Sequence, residues 1–206
     1  MVREVIVGMT AGKNVLVTCG ATVPFPTLVK VLLQRQTLDH LKSMAFVKVI
    51  VQFGKGFSDE FERILNGIND KEGGTISVEL ETLGTERVLH GWYKGVEIIG
   101  LEFTPNIEAL IKLYADVVIS HAGTGSILDS LRLKKPLIAV VNDTLMDNHQ
   151  EQIARKFESK GYLWAAYATE QEIIAALDKS ECETLTELPD GYNRGFEQLL
   201  LNVAFE

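Results

Sequence analysis

The chain has 206 residues, 46% of them hydrophobic, and sets 28 acidic side chains against 20 basic ones for a formal net charge of -8. That length and apolar content suit a domain with a real core, and the acidic balance argues against a nucleic-acid surface, which needs clustered Lys and Arg. No apolar run reaches the roughly 20 residues of a spanning helix, the opening MVREVIVGMTAGKN lacks a signal-peptide core, and Cys19 and Cys182 are too few for a disulfide framework or a zinc site. The composition therefore predicts a soluble, cytoplasmic chain with no metal and no membrane span.

In chain order, Asn14 to Thr18 reads as the first strand, and after the turn TCGATVPFP a helix is marked by Leu28, Val31 and Leu32. Ala45 to Phe53 is the next strand. Ser58 to Leu65 reads as a helix with Ser58 at its N-cap and Phe61, Ile64 and Leu65 inward. From Thr75 to Phe103, three strands (Ile76 to Leu80, Arg87 to Trp92, Val96 to Phe103) separated by turns at Gly84 and Lys94-Gly95 read as an antiparallel insertion. Thr104 and Pro105 then offer an N-cap and a first-turn proline to a helix carrying Ile107, Leu110, Ile111 and Tyr114 inward.

The stretch from Asp116 to Val141 is the most informative. A β-branched strand, a turn bracketed by Gly123 and Gly125, a helix through Ile127, Leu128 and Leu131, a stop at Pro136 and a second strand follow without interruption. Beyond it, Asp147 to Lys160 is helical, Tyr162 to Ala166 is a strand, and Thr169 with Glu172 forms a capping box for a helix ending near Asp178. The alternation predicts an α/β fold, a Rossmann-like doubly wound sheet, mainly parallel with the antiparallel insertion at about 75–103. Residues 1–178 form that domain, 179–191 read as a linker, and 192–206 as a helix with Phe196, Leu199, Leu200 and Val203 on one face.

In such a sheet a ligand lies at the carboxyl ends of the strands, so the loops after Thr18, Ser120 and Val141 converge on one crevice. They hold Thr18, Gly20 and Thr22; His121, Gly123, Thr124, Gly125 and Ser126; and Asn142, Asp147, Asn148, His149, Gln150 and Gln152. A helix entered through small residues presents unpaired N–H groups and its positive dipole end, which suits a phosphate. Glycines that merely relieve a tight turn, with Ser126 as cap, fit HAGTGS equally well. Neither a GxGxxG fingerprint nor a P-loop is present, which disfavours a nicotinamide oxidoreductase or an ATPase. Asp129 suits either a helix-start pair with Ser126 or a ribose hydroxyl; Cys19 reads as a buried small residue ahead of a nucleophile; and Asp147 with His149 lacks a third metal ligand at a usual spacing.

Together, TCGATVPFP at 18–26, IVQFGKG at 50–56, ISHAGTGSILDSLRLKKPLIAVVND at 119–143 and LMDNHQEQIA at 145–154 closely resemble one family over nearly the whole chain. It is the catalytic subunit of the two-part UDP-N-acetylglucosamine transferase of dolichol-linked oligosaccharide synthesis, similar to the donor-binding, C-terminal half of GT-B glycosyltransferases. The resemblance implies transfer of N-acetylglucosamine from UDP onto N-acetylglucosaminyl-diphosphodolichol, inverting to a β1,4 linkage, without metal or cofactor. It places the diphosphate on Gly123 to Ser126, ribose on Asp129 and the sugar on Gln150, with His121 as the donor-side catalytic candidate and the general base unassigned. Two positions depart from the wider pattern: Asp129 is shorter than the usual glutamate, and Ile153 replaces an asparagine. The resemblance also implies a membrane-anchored partner that supplies the acceptor half at the cytosolic face of the endoplasmic reticulum; the stripe Phe196, Leu199, Leu200 and Val203 suits docking to it, and packing of part of that stripe against this chain's own sheet fits at least as well. The alternative is a non-catalytic sugar-nucleotide-binding module.

Overall fold

The computed structural model describes residues 12–20, 24–70, 84, 88–142 and 149–189. Among these residues seven strands form one sheet: β1 (Lys13–Thr18), β2 (Phe46–Gln52), β3 (Val88–Tyr93), β4 (Val96–Leu101), β5 (Val117–Ser120), β6 (Leu137–Val141) and β7 (Trp164–Tyr167), in the order β3-β4-β2-β1-β5-β6-β7. The described helices are α1 (Pro26–Leu32), α2 (Arg35–Ser43), α3 (Ser58–Ile68), α4 (Ile107–Tyr114), α5 (Thr124–Arg132), α6 (His149–Glu158) and α7 (Glu170–Cys182).

Every strand pairing is parallel except β3 with β4. The central strands are near-continuous apolar runs, with every residue of β4, β5 and β6 buried, as a sheet covered on both faces requires. Alternate residues of β1 serve opposite faces. Val15 and Val17 join the core under α1, α2, α3 and α7, whereas Leu16 joins the core under α4, α5 and α6. From β1 the chain winds outward to β2 and β4 over the first face, then crosses through α4 on the second face to β5, β6 and β7. The winding direction reverses between β1 and β5, and that reversal opens a crevice beyond the strands' carboxyl ends.

Most expected elements stand where the sequence placed them, with differences of physical origin. β4 pairs parallel with β2, from Lys48 against Glu97 to Gln52 against Leu101, so it is a strand of the main sheet and only β3 runs antiparallel. Ile76 to Leu80 lies outside the described residues. Ser58 does not cap α3: Phe57 holds the N-cap position and Ser58 is buried. For α4 the N-cap is Asn106, whose N–H donates to Thr104 Oγ1 at 2.9 Å. The Thr169 cap on α7 is present, with Glu172 N–H donating to Thr169 Oγ1, but the Glu172 carboxylate accepts from Tyr167 N–H at 2.8 Å rather than closing the box. That helix continues past Asp178 to Cys182, and residues 183–189 pass over the β7 side of the sheet, tied by Trp164 Nε1–H to Glu183 at 2.8 Å and Thr186 N–H to the Gly161 carbonyl at 2.8 Å.

Outward backbone groups are engaged on both outer strands. On β7, Ala165 N–H donates to Glu158 Oε1 at 2.9 Å and Tyr167 N–H to Glu172. On β3, Trp92 N–H donates to Asn69 Oδ1 at 2.8 Å, and the Trp92 carbonyl accepts from Asp70 N–H at 2.7 Å. A glycine sets the contact between α3 and the sheet. A Cβ at Gly100 of β4 would fall 2.2 Å from the Phe61 ring, which itself stacks on Phe53 with centroids 4.6 Å apart. The strand lacks a side chain there because an aromatic ring lies on its backbone.

Candidate functional site

β1 and β5 are neighbours, and their last residues, Thr18 and Ser120, are register partners at the switch point. Both side chains are buried, and neither hydroxyl has a hydrogen-bond partner among the described residues. The loops that follow meet directly. His121 N–H donates to the Thr18 carbonyl at 3.0 Å, and His121 Nδ1 lies 3.2 Å from the same oxygen. A carbonyl only accepts, so Nδ1 carries the proton and the neutral ring presents the Nε2 lone pair. Burial holds the His121 pKa below the ordinary histidine value, opposed by its bond to Thr18, so the neutral ring prevails at pH 7.

Two glycines make room for that ring. A Cβ on Gly20, whose φ is +84°, would stand 2.9 Å from His121 Nε2, and one on Gly123 would stand 2.4 Å from it. The imidazole is thus packed between the loop after β1 and the first residue of the HAGTGS turn. Ala122 takes a φ of 60° to bring the chain from His121 into α5, an uncommon conformation for a residue with a Cβ. Gly123 is the N-cap of α5 and provides no side-chain cap, so the first-turn N–H groups of Thr124, Gly125 and Ser126 have no intrahelical partner. Gly125 is exposed, and a Cβ there would meet nothing within 4 Å.

This start removes the capping role considered for Ser126 and Asp129. Ser126 lies inside the first turn, its carbonyl accepting from Ser130 Oγ at 2.7 Å, and Asp129 lies in the second turn. Asp129 is half-buried; partial burial, then the nearby Glu108 charge, pushes its carboxyl above the ordinary aspartate value, with Arg132 opposing. Asn142, buried, follows β6 on the same rim, and His149 and Gln150 open α6. Gln150 Oε1 is buried without a partner among the described residues. Thr22, Asp147, Asn148, Phe196, Leu199, Leu200 and Val203 lie outside the described residues. Cys19 is buried and its thiol is pushed up to about 12 by burial, which leaves no thiolate to act as a nucleophile at neutral pH.

Two residues not singled out from the sequence belong to this region. Ser120 shares the switch point with Thr18. Gln52, the last residue of β2, is buried, and its Nε2 donates to the Gly20 carbonyl at 2.8 Å and to the Glu102 carbonyl at 3.1 Å. The available signal was a polar residue ending an otherwise apolar strand. Its partners, 32 and 50 residues away in the chain, have no local signature.

The arrangement can hold an anion at the α5 N-terminus, with His121 beside it and polar side chains along the rim. Residues 14–196 match the model of the glycosyltransferase family 28 C-terminal domain. The UDP-N-acetylglucosamine transferase subunit ALG13 of Eremothecium gossypii is 49% identical over 198 residues, covering 95% of each chain. An NMR solution structure of ALG13 superposes with a TM-score of 0.72 at 42% identity, over 95% of this chain and 98% of that one. The crystal structure of Acinetobacter baumannii MurG, at 15% identity and a TM-score of 0.55 over 84% of this chain and 42% of that one, shares the fold. Sheet, switch point and glycine turn together define one Rossmann-like half of a GT-B glycosyltransferase. More narrowly, the chain belongs to glycosyltransferase family 28, among the ALG13 subunits of UDP-N-acetylglucosamine transferase. Among the described residues, no helix is long and apolar enough to cross a membrane.

Proposed function

We propose that this chain binds UDP-N-acetylglucosamine and, with a membrane-anchored partner, transfers the sugar to N-acetylglucosaminyl-diphosphodolichol, inverting the anomeric carbon to a β1,4 linkage. The observation that carries the reading is the packing of His121 between Gly20 and Gly123 beside the open N-terminus of α5. In this reading the diphosphate lies on the N–H groups of Thr124, Gly125 and Ser126, and the ribose on Asp129. The rim residues Thr18, Asn142, His149 and Gln150 border the donor, and Thr22 and Asn148, assigned to it from the sequence alone, complete the set. Asp129 is a strong ribose acceptor once ionised, and two hydroxyl donors offset the burial that raises its pKa.

As the glycosidic bond breaks, negative charge grows on the departing UDP. Helix N–H groups already aimed at it stabilise that charge without reorganising, and in this reading they do so without a metal ion. The acceptor hydroxyl attacks from the face opposite the diphosphate, and its proton goes to a base on the partner's side of the cleft. One Rossmann-like half supplies one wall of that cleft, so the acceptor and its lipid belong to the second subunit, at the cytosolic face of the endoplasmic reticulum.

Coexpression with the anchored subunit, followed by transfer of labelled N-acetylglucosamine to a short-chain diphosphate lipid, tests this. The expected result is transfer that needs both chains, survives a chelator, and falls at least about 100-fold with Asp129→Ala, on the scale of losing strong donor contacts. Full transfer by a folded Asp129→Ala complex would favour a non-catalytic sugar-nucleotide module instead.

A further inference from the structure

We propose that Gln52 is a positioning residue for the donor site: its carboxamide fastens the loop after β1 to the loop after β4 and so holds the wall on which His121 rests. The proposal deepens the donor-site reading and rests on it for the ligand. Two hydrogen bonds run from the one carboxamide nitrogen of Gln52, to the Gly20 carbonyl at 2.8 Å and the Glu102 carbonyl at 3.1 Å, and the residue is 5% exposed. Gly20 is the residue whose bare α-carbon accepts the His121 ring, at a spacing a Cβ would reduce to 2.9 Å.

The neighbouring contacts close the same clasp. Gly54 N–H donates to the Glu102 carbonyl at 3.1 Å, and Gly56 N–H to the Glu102 carboxylate at 2.6 Å. A Cβ at Gly54, with φ +87°, would sit 3.2 Å from the Gly20 carbonyl oxygen and 3.1 Å from Pro24 Cα. Three loops, after β1, β2 and β4, therefore bear on Gly20, and among the described residues the carboxamide is the side chain that donates to its carbonyl. Removing the donor leaves the Gly20 carbonyl short of a partner at a buried site, while the Glu102 carbonyl keeps Gly54 N–H, and the loop after β1 gains the freedom to leave the imidazole.

The test compares the full chain with Gln52→Met and Gln52→Glu. Methionine keeps the volume and loses the donor; glutamate keeps the shape and turns an acceptor toward two acceptors. Histidine ring NMR, with His121 assigned by its loss in His121→Asn, reads the wall directly. UDP calorimetry reads the ligand. The expected result is a His121 pKa that rises toward the ordinary histidine value in both variants as burial is relieved. UDP dissociation should rise about tenfold for Met and further for Glu, each hydrogen bond contributing on that order. An unchanged His121 titration and unchanged UDP affinity in both folded variants would overturn the proposal.

If the parent chain binds no UDP while the His121 titration still follows Gln52, the positioning role stands and the donor reading fails. Should the variants not fold, the parent chain still decides. Slow exchange of the Gln52 side-chain amide protons, with a shift on adding UDP, supports the clasp; fast exchange and no shift refutes it.

Discussion

At the scale of single residues, the two glycines of HAGTGS do different work, and substitution separates them. A methyl at Gly123 would enter the space of His121 Nε2, whereas a methyl at Gly125 meets nothing. Gly123→Ala should therefore displace the imidazole and weaken UDP binding about tenfold or more even where the fold survives, measured by calorimetry. Gly125→Ala should raise the melting midpoint, since alanine in a helix is worth about 0.5–1 kcal/mol over glycine. If it also weakens UDP, the glycine serves close approach of the ligand. The turn and His121 were legible in the sequence because they sit together in one strand-turn-helix signature, and the rim polar residues because they follow the carboxyl ends of strands in a doubly wound sheet. Gln52 and Ser120 were not: what marks them is a buried carboxamide with distant partners and a cross-strand pairing, neither of which leaves a local pattern.

At the scale of elements, hydropathy showed where strands lie and not which way they run. The sequence VEIIGL of β4 is buried throughout, while VLHGWY of β3 is only partly covered. Both read as strands of one insertion until their partners are known, since direction is decided by long-range pairing to β2. The division of the first helical region into α1 and α2 has no sequence mark for a similar reason, because the break at Leu33 and Gln34 contains neither Gly nor Pro. The join between α3 and the sheet carries its own prediction. Gly100→Ala puts a methyl into the Phe61 ring, and the forced shift should cost about 1–3 kcal/mol by denaturant unfolding. Gly100→Ala combined with Phe61→Leu should recover part of that loss, because the two changes share one space.

At the scale of the whole molecule, the carboxylates on the β7 edge invite a test of their own. Replacing both Glu158 and Glu172 by alanine should cost about 1 kcal/mol per lost bond and give more high-mass species on size-exclusion chromatography than the parent chain. An unchanged elution profile with lowered stability would mean that the edge is guarded by something else. The larger consequence concerns geometry of assembly. On the β7 flank Glu158 and Glu172 take the amides of Ala165 and Tyr167, so among the described residues that edge offers no open row of amides for an incoming strand; on the β3 flank Asn69 and Asp70 hold Trp92. A strand added to the β7 edge would first have to displace both carboxylates, so that flank is built for contact through helix surfaces or the loop rim rather than for extending the sheet.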